Sequence, residues 1–130
     1  MQYGQCTVEH LNSSLYYATP NFLSDRQIKS VVVTSSVSQE GKSFVAANLA
    51  VAMAKMGRKV LVVDADMRHP TQHHIWKLSL KNVVGLSNVI TNQVSIDIPV
   101  EQVMQNLFIL PSGTLSPNPL SLLNSQRMAE

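Results

Sequence analysis

Ser30-Val31-Val32-Val33-Thr34-Ser35-Ser36-Val37-Ser38-Gln39-Glu40-Gly41-Lys42-Ser43 is the stretch that decides the fold. Its first five residues are β-branched or small and apolar on both faces, which predicts a strand buried in a parallel sheet. Its last eight occupy the frame G-x-x-x-x-G-K-[ST], with Ser36 where the first glycine usually stands. In that frame the glycine at 41 lets backbone amides approach phosphate oxygens, Lys42 brings a point charge to them, and the Ser43 hydroxyl suits magnesium. An ordinary strand-to-helix turn with a solvent-facing lysine is the plainer reading. The flanking strand and helix favour the phosphate loop, because that motif has to join these two elements. Serine at 36 narrows the backbone freedom that a first glycine would allow.

Outward from the loop, Ser43 to Met56 reads as a long helix. Val45, Leu49, Met53 and Met56 form one predicted stripe, and Ala46, Ala50 and Ala54 permit close approach to a sheet. The loop therefore ends at a helix N-terminus, where free amides and the helix dipole attract anions. Gly57 sits where a helix-terminating glycine is expected. A second buried strand, Val60 to Val63, follows and completes a right-handed βαβ unit. It runs into Val63-Asp64-Ala65-Asp66-Met67-Arg68. Ligands of open α/β sheets gather at the carboxyl ends of strands, which puts Asp64 in the same crevice as Lys42. Two carboxylates spaced by two on an extended segment share a side, so Asp64 and Asp66 can hold magnesium or take a proton. Arg68 can pair with a phosphate or with these acids.

Further along, the expected elements are a short helix at 71–77, another at 85–90, a third strand at 106–110, and a last helix at 120–128 after Pro117-Asn118-Pro119. Before the decisive stretch, residues 1–29 form a polar lead-in. There Val8, Leu11, Leu15 and Ala18 suggest an amphipathic helix ended by Pro20.

The 130 residues suffice for one domain with a hydrophobic core. The net charge of +2 is dispersed without basic runs, which argues against nucleic acid as the main ligand. The single cysteine, Cys6, excludes an internal disulfide and suits a reducing compartment. No secretion signal or bilayer-length apolar run is visible, so a cytoplasmic location is expected, with membrane contact only through a partner. His69, His73 and His74 read as surface or packing residues, since zinc sites show tighter ligand spacing. Trp76 reads as a packing residue.

These residues carry a resemblance. Val31 to Ser35 with Glu40-Gly41-Lys42-Ser43 and Ala46-Ala47-Asn48-Leu49-Ala50, then Val60 to Thr71, is similar to the bacterial tyrosine kinases of capsule and exopolysaccharide assembly. Gly85-Leu86-Ser87, Leu110-Pro111-Ser112-Gly113, Pro117-Asn118-Pro119 and Leu122-Leu123 match further landmarks, so the resemblance covers about residues 28–128. It implies a P-loop NTPase-like three-layer α/β/α sandwich with a mostly parallel, incomplete sheet, related to partitioning and septum-site ATPases. It divides the chain into the lead-in 1–29 and a nucleotide-binding domain 30–130, truncated before a third acidic motif. It implies ATP and magnesium as cofactors, and transfer of the γ-phosphate to tyrosine, largely on neighbouring subunits.

Carried over by position, Ser38, Gln39, Glu40, Gly41, Lys42, Ser43, Phe44 and Arg68 bind the nucleotide. Lys42, Asp64 and Asp66 are catalytic, and Ser43 with Asp64 holds the metal. A membrane-spanning polysaccharide co-polymerase or adaptor, a homo-oligomer, and a place at the inner face of the membrane are implied as well.

The sequence departs from the family pattern in four places. Ser38-Gln39 replaces proline-glycine, Asn12 and Leu15 stand where arginines of an assembly helix are expected, and no tyrosine cluster closes the chain. Leu107-Phe108-Ile109-Leu110 runs into Pro111-Ser112 rather than into Asp-Thr-Pro-Pro. Two other readings stay open: a binding module without turnover, and a partitioning-type ATPase. The latter usually carries lysine where Val37 stands.

Overall fold

A computed structural model describes residues 29–79, 84–91 and 98–129. The lead-in helix expected at 8–18, Cys6 and all three tyrosines therefore lie outside the described residues. Among the described residues eight elements follow one another in chain order: α1 (Lys42–Lys55), β1 (Val60–Val63), α2 (Gln72–Ile75), α3 (Leu86–Ile90), β2 (Glu101–Met104), β3 (Leu107–Leu110), α4 (Pro119–Leu123) and α5 (Gln126–Ala129).

The described sheet has three strands in the order β1-β3-β2. β1 pairs with β3 in parallel, from Val60 opposite Leu107 to Val63 opposite Leu110. β2 and β3 form an antiparallel hairpin, whose turn places Asn106 at φ 65°, a conformation that asparagine tolerates better than most residues. β2 escapes the sequence reading because Glu101 and Gln102 are polar and exposed and only its last two residues turn inward.

The core lies between α1 and the sheet. Ala50, Val51 and Ala54 pack on Leu107 and Ile109, with Val60, Val62, Trp76 and Val103 closing the margins. The packing role expected of Trp76 is realised. A second cluster joins Met67, Leu86, Ile90 and Leu110, with Leu122 against it.

The predicted stripe of α1 is corrected. Its buried face is Ala47, Asn48, Ala50, Val51, Ala52 and Ala54, while Val45 is exposed. Small side chains win this face because only they let the helix axis approach a flat sheet closely.

The expected strand at 30–34 is also corrected. Residues 29–35 adopt no strand, and Val32 is 89% exposed. Among the described residues β1 is hydrogen-bonded to a strand on one side only, and Leu61 and Val63 remain exposed beside that free edge. A β-branched run becomes a buried strand only where a neighbour takes up its amides and carbonyls. No described strand does so for Val31 to Thr34.

The single helix expected at 120–128 is instead two. α4 is capped by the Asn118 side chain, which accepts from the Ser121 amide, and it ends at Asn124. The Ser125 hydroxyl donates to the Leu122 carbonyl and accepts from the Met128 amide. A serine side chain that bonds the backbone in this way competes with continuous helix. No helix among the described residues is long and apolar enough to cross a membrane.

Candidate phosphate-binding site

The loop before α1 turns through two left-handed residues, Gln39 at φ 65° and Gly41 at φ 85°. Gly41 tolerates this without strain, and its carbonyl accepts from the Val45 amide to start the helix. Lys42 and Ser43 are thereby the first two residues of α1, at its positive end. The amides of Ser36 and Val37 converge on Glu40 Oε2 at 3.1 and 3.4 Å, and the Ser36 hydroxyl lies 3.4 Å from the same atom. A carboxylate oxygen thus sits on amides that the frame predicts for phosphate oxygens. That shows the loop is shaped to gather N–H groups on an anion. Ser38 is exposed, and the Phe44 carbonyl accepts from the Asn48 side chain at 2.8 Å.

At the end of β1 the chain makes a last ladder bond, from the Asp64 amide to the Leu110 carbonyl, and then leaves the sheet. The expectation that Asp64 and Asp66 share one extended side is corrected at this point. Asp64 Oδ1 accepts from the Asp66 amide, which bends the chain into a turn. Asp64 is left 5% exposed, with Oδ2 accepting from the amides of Thr71 and Gln72 at 3.2 and 3.1 Å. Burial raises its pKa above the ordinary value, assisted by the nearby Asp66 charge, although the three amide bonds pull the other way.

Asp66 faces the loop. Its Oδ2 lies 2.8 Å from the Lys42 ammonium, while its Oδ1 accepts from the amides of Arg68 and His69. Desolvation alone would raise the Asp66 pKa, but the Lys42 bond, these amides and the lysine charge outweigh it, and the net shift is downward.

Gln72 links the two halves of the site. Its backbone holds Asp64, while its side-chain amide donates to the Ser43 carbonyl at 2.9 Å. Its carbonyl oxygen in turn accepts from the Trp76 indole. No local pattern singles out Gln72, because its partners lie 8 and 29 residues away.

The structure thus brings Lys42, Ser43, Asp64 and Asp66 to one end of the sheet. Arg68 lines an open cleft of about 620 Å³ between segments 68–74 and 112–115. His73 and His74 line this cleft too, with ring centroids 4.0 Å apart.

The oxygen donors present suit magnesium, which prefers hard ligands and takes only one or two carboxylates besides phosphate. Among the described residues no cluster of three or more His, Cys, Asp or Glu offers an all-protein metal cage.

An anion-gathering loop at a helix N-terminus, facing paired acids at the carboxyl end of a parallel strand, defines a nucleotide-binding domain of the P-loop class. Residues 31–117 match the model of the CobQ/CobB/MinD/ParA nucleotide binding domain, and the chain belongs to that family. Curated proteins similar to the chain include tyrosine kinases. The chain is 47% identical over 107 residues to the tyrosine-protein kinase YwqD of Bacillus subtilis, covering 82% of this chain and 44% of that protein. It is 33% identical over 105 residues to the tyrosine-protein kinase CpsD of Streptococcus pneumoniae, covering 80% and 46%.

Solved structures agree. The chimerical protein CapA2B2 matches with a TM-score of 0.80 at 39% identity, over 90% of this chain and 52% of that one. The kinase domain of VpsO matches with a TM-score of 0.77 at 30% identity, over 92% and 59%. The chain spans less than half the length of these two curated relatives.

Proposed function

We propose that this chain is the nucleotide-binding part of a bacterial protein-tyrosine kinase acting in capsule or exopolysaccharide biosynthesis. The observation that carries the reading is the meeting of the Lys42 ammonium with the acids at the end of β1, in a chain 47% identical to a named tyrosine kinase. The amides of the 36–43 loop, including those of Ser38, Gln39, Glu40 and Gly41, would hold the phosphates of ATP together with Lys42 and Ser43. Phe44 closes the first turn and Arg68 reaches the phosphates.

Magnesium held by Ser43 and Asp64 supplies charge neutralisation for the phosphates when bound. The phenolic oxygen of tyrosine forms a bond to the γ-phosphorus as the bond to the β–γ bridging oxygen breaks. ADP leaves, and the phenolic proton passes to the carboxylate pair.

The resemblance to these kinases further supports a homo-oligomer, tyrosine-bearing protein substrates, and a membrane-spanning co-polymerase or adaptor that holds the chain at the inner face of the membrane. The domain boundary near residue 30 belongs to the same reading. In this reading nucleotide binding rests on the 36–43 loop and the acids at the end of β1.

The test is incubation of the full-length gene product and its activator with γ-labelled ATP and magnesium. Tyrosine becomes labelled, and Lys42→Met abolishes the label. A full-length protein that hydrolyses ATP on DNA but labels no tyrosine would overturn the reading in favour of a partitioning ATPase.

A further inference from the structure

We infer that Gln72 is the positioning residue for magnesium at the phosphate loop. It sets the Ser43 end of α1 against the Asp64 carboxylate and ties their spacing, through Trp76, to the core. This inference rests on the reading of Ser43 and Asp64 as the magnesium pair.

The first reason is the bonding of Gln72, which is 4% exposed. Its backbone amide donates to Asp64 Oδ2 at 3.1 Å, and its side-chain Nε2 donates to the Ser43 carbonyl at 2.9 Å. One residue therefore holds both members of the pair, although Ser43 stands in the first turn of α1 and Asp64 just past β1. A carbonyl in the first turn of an α-helix already serves the amide four residues on. The Gln72 bond takes its second lone pair. Its effect is to fix where the Ser43 backbone lies, and the Ser43 hydroxyl starts from that backbone.

The second reason is orientation. The Trp76 indole donates to Gln72 Oε1 at 2.9 Å. An indole N–H can only donate and a carbonyl can only accept, so the Gln72 amide cannot turn over. α2 is one turn long, with Gln72 at its start and Trp76 at its C-cap, so the two side chains meet at helical spacing. Trp76 in turn packs on the cluster of Ala50, Val51, Ala54, Leu107 and Ile109. Burying an amide costs free energy unless its polar atoms are bonded. The Gln72 side chain therefore keeps its place only while Ser43 and Trp76 hold its two ends.

The third reason is the separation from the phosphate contacts. The amides of Ser36 and Val37 gather on Glu40, and the Lys42 ammonium meets Asp66. The bonds of Gln72 go instead to Ser43, Asp64 and Trp76. Loss of its side chain thus weakens metal binding and spares phosphate binding, a split that general loosening of the fold does not produce.

The test is calorimetry of tripolyphosphate, with and without magnesium, on the parent, Gln72→Met and Trp76→Phe. Methionine fills a similar volume without either hydrogen-bonding end, and phenylalanine keeps a ring in the core without the indole N–H. Metal-free affinity stays within about twofold of the parent, while the gain on adding magnesium falls about tenfold in Gln72→Met and about two- to fivefold in Trp76→Phe. Trp76 is the one tryptophan of the chain, so its emission reads a single indole. That emission shifts on adding magnesium with tripolyphosphate to the parent and stays still in Gln72→Met. An undiminished magnesium gain in Gln72→Met, equal weakening with and without the metal, or the same emission shift in both proteins would overturn the inference. If Gln72→Met loses its helical circular dichroism, the magnesium gain of Trp76→Phe decides by the same criteria. A parent without any magnesium gain would overturn the Ser43–Asp64 pair itself, and the inference with it.

Discussion

The Lys42 ammonium lies 2.8 Å from Oδ2 of Asp66, so the lysine at the start of α1 is already paired with an acid just past the end of β1. A triphosphate must share or take over this lysine. The pair therefore organises the loop before nucleotide arrives and competes with it afterwards.

Lys42→Met removes a charge-assisted contact worth about 1.5–3 kcal/mol, and ATP affinity falls about 10- to 100-fold. Asp66→Asn acts oppositely when magnesium is absent. Freed from its partner, Lys42 binds tripolyphosphate more tightly than in the parent chain. Calorimetry with and without magnesium distinguishes the two, and weaker metal-free binding in Asp66→Asn would contradict the competition.

Glu40 poses a parallel case, because its carboxylate occupies the amides of Ser36 and Val37. Glu40→Gln weakens that plug, which at an exposed position is worth at most about 1 kcal/mol. Phosphate-chain affinity rises about two- to fivefold, measured by displacement of a fluorescent nucleotide.

Gly113→Ala strains a residue at φ 82° and drives a methyl group into the Asn88 side chain. The expected loss is about 1–3 kcal/mol of stability, read by urea denaturation. If Gly113→Ala matched the parent, the contact between α3 and segment 112–115 would not be rigid. Asn88→Ala should mimic the effect by releasing the Thr114 amide.

The pH dependence has two windows. Burial, then the His74 charge, lowers the His73 pKa, with Asp64 opposing. A histidine whose folded pKa is depressed contributes stability that is complete above its unfolded value, about 6.5, and is lost as the pH falls toward the folded value. His73→Gln flattens denaturation midpoints in that window. Asp66, also depressed, contributes stability above its unfolded value of about 3.9 that fades as the pH falls through the folded value. Asp66→Asn removes that lower slope.

Val31, Val32, Leu61 and Val63 are exposed, and β1 has a free edge among the described residues. Apolar edges recruit other strands. The chain therefore scatters light and binds a hydrophobic dye. Val32→Lys reduces both signals.

Sequence alone determined the parts that depend on neighbours in the chain. Gly41-Lys42-Ser43 opens α1, Gly57 ends it in the left-handed conformation, and the apolar run 60–63 forms β1 ahead of its acids. Dihedral preference, helix polarity and strand direction are local, so these elements and the meeting of the loop with the acids were legible.

Tertiary structure alone decided what depends on distant partners. It separated Asp64 from Asp66, one buried on three amides and the other turned to Lys42. It used Gln72 as the link to Ser43, clasped Gly113 against Asn88, and left Val31 to Thr34 without a described strand beside it. The physical reason is the same in each case. A hydrogen bond or a packed face is settled by which group arrives to meet it, and that group lies far along the chain.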